Sequence, residues 1–254
     1  MSTSNGARPN GTNGVKKELK ILMIHGYTQS GPLFHAKTKA LEKFLIKTLA
    51  PASITPSLIY PTAPNRLSPS DIPGFNKSTD SVEDLDMWAW FRKDDATNTY
   101  RYLDEGMSTI AEAISGAGGI DGICGFSQGG AMAAFVAAAL EPSREAPEGT
   151  AGDWARKLRE ANGGQAARFA ISYSGFYAPP DDLQWLYEPK IKTPTLHYIG
   201  SLDTVVDESR SQALVDRCEE PLLLVHPGGH FVPISKDWAM PLAGFIKKYA
   251  EEIE

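Results

Sequence analysis

The stretch Gly119-Ile120-Asp121-Gly122-Ile123-Cys124-Gly125-Phe126-Ser127-Gln128-Gly129-Gly130, running into an alanine-rich segment at 131–140, decides the fold. It contains G-x-S-x-G at 125–129, with an apolar lead-in and a good helix former behind it, the strand–turn–helix setting this motif requires. The glycines fit that setting, because strand and helix backbones must approach closely around a serine held on a very tight turn. The helix N-terminus then aims the amide of Gln128 at the place where an oxyanion would form. The plainer reading of a serine between glycines is a simple turn. The strand before it and the helix after it favour a nucleophile.

Working outward, residues 19–24 form an apolar run broken only by Lys20, the mark of a strand covered on both faces. Further strands are predicted at 57–60, 120–124, 167–173, 194–199 and 222–225. Helices are predicted at 33–49, 102–115, 208–217 and 236–250, with one short helix near Trp154 in a polar surface excursion at 141–164. Six strands alternating with helices predict a mostly parallel, doubly wound α/β sheet in a single domain. Ligands gather at the carboxyl ends of such strands. Residues 1–16, rich in Ser, Asn, Gly and Thr, are expected to form a disordered tail, leaving 17–254 as the folded domain. The connection at 61–86 has no clear periodicity, as in binding or lid segments.

Composition narrows the partners. The 254-residue chain has a net charge of −6, which argues against nucleic acid. Its two cysteines, Cys124 and Cys218, cannot build a disulfide framework, as expected of a reducing compartment. No stretch approaches the length of a membrane span, and the polar N-terminus lacks the apolar core of a secretory signal, so the expected location is the cytoplasm. No metal or cofactor is expected.

A serine nucleophile needs a base, and the base needs an orienting carboxylate. In this type of sheet they follow in the order Ser, acid, His. Asp203 sits just past the 194–199 strand, and His230 follows the last strand on a glycine pair. Asp207 is the rival acid, though its position before a helix suits an N-cap. His226 is the rival base, at a strand end. The loop His25-Gly26-Tyr27 after the first strand is where a second oxyanion donor arises, from the backbone N–H of Tyr27 or of Thr28. His25 itself reads as fastening that loop. Phe75, Trp88, Trp90 and Phe91 either line an acyl pocket or form plain core, and Phe176 is positioned to add a pocket wall. Cys124 precedes the turn and reads as a buried small hydrophobe rather than a nucleophile.

With these pieces in hand, the sequence resembles the FSH-type serine hydrolases, a branch of the α/β-hydrolase superfamily. The resemblance is carried by residues 24–30 (Ile-His-Gly-Tyr-Thr-Gln-Ser), 121–130, Ser174-Gly175-Phe176, Gly200-Ser201-Leu202-Asp203 and Gly228-Gly229-His230. It implies an α/β-hydrolase fold, a Ser127–Asp203–His230 triad, and oxyanion donors at the amides of Tyr27 and Gln128. It also implies hydrolysis of a small acyl ester or thioester without a metal. Members of this family include small carboxylesterases and thioesterases that free polyketide or fatty-acyl chains from the carrier domain of a synthase. A reading from another class is a ligand-binding protein that has kept a hydrolase scaffold. An intact set of three catalytic groups counts against it.

Overall fold

The computed structural model describes residues 17–72 and 86–251. The tail expected at 1–16, and Phe75, lie outside the described residues. A six-stranded sheet runs in the order β10-β9-β8-β7-β1-β2, with every neighbouring pair parallel. Its strands are β1 (Lys17–Ile24), β2 (Ile54–Ile59), β7 (Gly122–Phe126), β8 (Phe169–Tyr173), β9 (Thr195–Gly200) and β10 (Leu222–His226). Two short antiparallel ladders stand apart from it. They pair β3 (Asn65–Arg66) with β4 (Trp88–Ala89), and β5 (Arg92–Asp94) with β6 (Thr99–Arg101).

The helices are α1 (Gly31–Leu49), α2 (Leu103–Gly116), α3 (Gln128–Leu140), α4 (Thr150–Ala161), α5 (Glu208–Val215) and α6 (Lys236–Glu251). They cover both faces of the sheet. Successive side chains of a strand point to opposite faces, and β1 shows the result. Its Leu22 and Ile24 enter one core with Met107, Ile123 and Phe135. Its Leu19, Ile21 and Met23 enter a second core with Leu41, Ile171 and Leu242. A strand buried on both sides therefore reads as a nearly continuous apolar run, here broken only by Lys20 from Leu19 to Ile24.

Helix α3 is buried on all sides, from Gln128 to Leu140. Alanines suit that position because they let β7, β8 and α4 pack close to its backbone. Among the described residues, no helix is long and apolar enough to cross a membrane.

Two segments differ from expectation. Residues 150–161 are not a surface excursion: Trp154, Ala155 and Leu158 bury one face of α4 in the core. The polar residues there are the outer face of an amphipathic helix. Just before it, the buried carboxylate of Glu141 accepts the amides of Lys192 and Thr193 and the guanidinium of Arg144. Arg144 in turn donates to the carbonyls of Trp185, Pro189 and Lys190. The second strand also begins at Ile54, earlier than its apolar end suggested, because an edge strand tolerates Pro56.

Candidate active site

The chain leaves β7 at Phe126 and turns at Ser127 into α3. Ser127 has φ 55 and ψ −116, a backbone conformation an L-residue holds only when its surroundings enforce it. They do so through the Ser127 N–H, which donates to the Tyr173 carbonyl at 2.8 Å, and the Ser127 carbonyl, which accepts from Gly130 and Ala131. A Cβ on Gly125 would lie 1.9 Å from the Gly129 carbonyl oxygen, and one on Gly129 would lie 2.0 Å from that of Ile24. Only glycine lets the strand and helix pass this closely.

Two later loops meet the serine at the same edge. The Nε2 of His230 lies 2.9 Å from the Ser127 hydroxyl, and its Nδ1 lies 2.7 Å from Oδ2 of Asp203. A carboxylate can only accept, so Nδ1 carries the proton and Nε2 is left free to accept one from Ser127. The other carboxylate oxygen of Asp203 accepts the amides of Val205 and Val206, both at 2.9 Å. Burial pushes the Asp203 carboxyl up, but the hydrogen bonds from Val206, His230 and Val205 outweigh it and hold it below the usual carboxylate range. The Asp203 side chain is 1% exposed and that of His230 is 16% exposed, so the acid is sealed while the imidazole still faces the cleft. The two loops are fastened to each other where Ser201 N–H donates to the His226 carbonyl and Leu202 N–H to that of Gly228.

The amide of Thr28 donates to the Trp88 carbonyl at 3.1 Å and is therefore occupied. Among the described residues, the amides of Tyr27 and Gln128 donate to no acceptor. Gln128 opens its helix, where such a donor is normally unsatisfied. The loop holding Tyr27 is braced from several directions. The Nδ1–H of His25 donates to the Gly26 carbonyl, and its Nε2 accepts the Ala63 amide. Burial pushes its imidazole down to about 4, against the raising effect of the Gly26 hydrogen bond, so the ring is neutral and can play both parts. Trp88 exchanges backbone bonds with Thr28 and Gln29. The Gln128 side chain accepts the Trp90 amide and donates to the Phe91 carbonyl, both at 2.8 Å. Trp90 Nε1–H closes the circuit on the His25 carbonyl at 2.9 Å.

A cleft of about 580 Å³ opens over Ser127 and His230, walled by Tyr27, Phe34, Phe126, Val205, Phe231 and Ile234, with Lys37 also lining it. Trp88 and Phe176, expected as pocket walls, are not among its lining residues. Trp88 spends its backbone on the Tyr27 loop, and its ring nitrogen donates to Asp86. Phe176 is buried under the Arg210 guanidinium, 4.6 Å from the ring centre, and against Phe91. Trp90 and Phe91 are core.

Val205, Phe231 and Ile234 were missed by sequence reasoning. The available signal was apolar residues set beside Asp203 and His230 in otherwise polar loops. Asp207 caps α5 through the Ser209 amide, and Cys124 is a buried thiol pushed up to about 12 by burial. Among the described residues, no group of three or more His, Cys, Asp or Glu is arranged to hold a metal ion.

A parallel sheet with helices on both faces, and a serine on a strained turn at its carboxyl edge, define an α/β hydrolase. Residues 15–242 match the family described as Serine hydrolase (FSH1), and the chain belongs to it. It is 31% identical over 247 residues to Family of serine hydrolases 2 of Saccharomyces cerevisiae, covering 92% of this chain and 97% of that one. It is 31% identical over 245 residues to Esterase OVCA2 of Danio rerio, covering 91% and 97%. A Schizosaccharomyces pombe protein named dihydrofolate reductase is 32% identical over 225 residues, 86% of this chain, which spans 45% of that longer relative. Among solved structures, acyl-protein thioesterase 2 of Zea mays has the same fold, with 20% identity, a TM-score of 0.56, and 96% of each chain covered.

Proposed function

We propose that the protein is a serine esterase or thioesterase that cleaves an apolar acyl ester or thioester through an acyl-enzyme on Ser127. The observation that carries this reading is the unbroken contact from Ser127 Oγ through His230 to Asp203, at 2.9 and 2.7 Å. In the proposed reaction, Ser127 attacks the substrate carbonyl as His230 Nε2 takes its proton. Asp203 holds the imidazole in the required tautomer and balances the imidazolium. The oxyanion of the tetrahedral intermediate lies against the amides of Tyr27 and Gln128, each worth roughly 3 kcal/mol in the transition state. As the intermediate collapses, His230 protonates the departing alcohol or thiol. Water, deprotonated by the same nitrogen, then releases the acid and restores Ser127.

The apolar walls of the cleft support an apolar acyl group, and the names of the zebrafish and maize relatives support ester and thioester leaving groups. Within that class, the substrate proposed first is a polyketide or fatty-acyl thioester on a carrier domain.

The test is labelling by a fluorophosphonate probe, alongside turnover of a nitrophenyl ester and intact-mass analysis after a panel of acyl oxoesters and thioesters. Wild type is expected to label and to retain one acyl mass. Ser127→Ala should do neither while keeping its fold. Turnover by Ser127→Ala would defeat the assignment, and an unreactive wild type would favour a binding protein on the same scaffold.

A further inference from the structure

His226 ends β10, four residues before His230, and is buried at 2% exposure. Its Nδ1 accepts the amide N–H of Gly228 at 3.2 Å. An imidazole that accepts at Nδ1 carries its proton on Nε2, and among the described residues that buried nitrogen has no hydrogen-bond partner. A buried donor without an acceptor is a cost that an apolar residue of similar size would not incur. The ring is otherwise well suited to an apolar site, edge-on to Phe231 at 5.2 Å and to Trp238 at 5.8 Å. Its one satisfied polar atom is the one that reaches the loop carrying His230.

That contact acts on a sensitive peptide. The Gly228 N–H is held by His226, while its carbonyl accepts from Leu202 N–H at 3.0 Å, next to Asp203. One glycine thus joins the base-bearing loop to the acid-bearing loop, and the two must agree in position for Nδ1 of His230 to meet Asp203. A Cβ on Gly228 would fall 2.5 Å from the Phe231 ring and 2.9 Å from His226 Nδ1, so a side chain there would have to displace those rings. Burial keeps the His226 imidazole below its ordinary pKa, against the raising influence of Asp203, so Nδ1 remains an acceptor.

We infer that His226 is a positioning residue for the proposed reaction, setting through the Gly228 amide the alignment of His230 with Asp203 and Ser127. This rests on the serine-hydrolase reading above. Its requirement is one acceptor at the Nδ1 position, two residues before the amide it holds. Asparagine meets that requirement by forming an Asx-turn, with Oδ1 accepting from the N–H two residues on. Glutamine carries its amide one bond further out and does not, and leucine offers no acceptor at all.

The experiment compares wild type with His226→Asn, His226→Gln and His226→Leu in the full chain, measuring kcat and KM on a nitrophenyl ester and the thermal midpoint of each. The expected result is that Gln and Leu lower kcat by about tenfold to a hundredfold, the scale of a misplaced catalytic group, with KM little changed. Asn should stay near wild type. The thermal midpoints should not follow this order, because Gln and Asn are similarly polar in the same buried site. Loss of kcat in Asn equal to that in Gln would overturn the inference, as would a Leu variant with wild-type kcat. If Leu does not fold, the Asn–Gln comparison decides. Fluorophosphonate labelling of wild type, run alongside, separates this outcome from failure of the serine-hydrolase reading, since an unlabelled wild type condemns only the latter.

Discussion

The side-chain carboxamide of Gln128 accepts the backbone N–H of Trp90 at 2.8 Å, and so ties the residue after Ser127 to the segment that braces the Tyr27 loop. The same amide group donates to Phe91, and Trp88 pairs with Thr28 and Gln29. The two proposed oxyanion donors lie 101 residues apart in sequence, yet share one hydrogen-bonded frame. Substituting Gln128 by Ala keeps its own amide but removes the tie. We expect kcat to fall about tenfold to a hundredfold with KM nearly constant, because the donors matter chiefly in the transition state. Steady-state kinetics check this, and an unchanged kcat would count against the shared frame.

Asp203 and Asp207 are close in sequence but differ in what they hold. Asp203→Asn should leave the fold intact and lower kcat by about four orders of magnitude, since an amide no longer enforces the His230 tautomer. Asp207→Asn should leave kcat alone, and Asp207→Ala should lower stability only slightly, through loss of the α5 cap. If Asp207 variants lost activity while Asp203 variants kept it, the acid would have to be reassigned.

Stability should fall on the acid side of neutrality. Burial pushes the imidazoles of His25 and His197 down to about 4, while the unfolded chain takes up each proton near pH 6.5. Between those values the unfolded state binds more protons, so acid favours unfolding. The loss grows from about pH 6.5 down to about pH 4 and then levels off, at roughly 3 kcal/mol per ring. Below that window, the carboxylates of Asp71 and Asp86, held low by Ser68 and Ser30, lose their stabilising contribution as they protonate. In urea titrations, His197→Gln should narrow the gap in midpoint between pH 7 and pH 5. An unaltered gap would show that His197 does not drive it.

The glycine frame of the turn is steric. Gly129→Ala puts a methyl group 2.0 Å from the Ile24 carbonyl oxygen and 2.6 Å from that of His25, neither of which can move without shifting β1. We expect a loss of about 3 kcal/mol or failure to fold. Denaturant unfolding tests this, and wild-type stability would contradict the packing described for α3.

Much of this was legible in the chain because the relevant forces are local or periodic. Strands in the middle of the sheet read as mostly apolar runs at 19–24 and 120–124, interrupted by Lys20 and Asp121, and Asp203 and His230 could be singled out because each lies in the loop after a later strand segment. The cleft was not legible. Val205, Phe231 and Ile234 come from separate turns with no shared period, and only the folded sheet edge brings them together. The aromatic cluster was ambiguous for a related reason. Alternation cannot say that Trp90 is buried against His25 while Trp88 turns its ring nitrogen to Asp86, since distant partners make that choice. Helix α4 was misjudged because its one buried face is short and its outer face is highly charged.

Among the described residues, strand β10 has a sheet neighbour on one side only, and Leu222, Leu223 and Val225 remain exposed along it. The imidazole thus hangs from the margin of the molecule, whereas the hydroxyl it serves is anchored at the centre. Margins of a sheet tend to open before its middle. Mild denaturant should therefore silence turnover while Trp90, deep inside, still reports an intact interior, and dilution should bring the activity back.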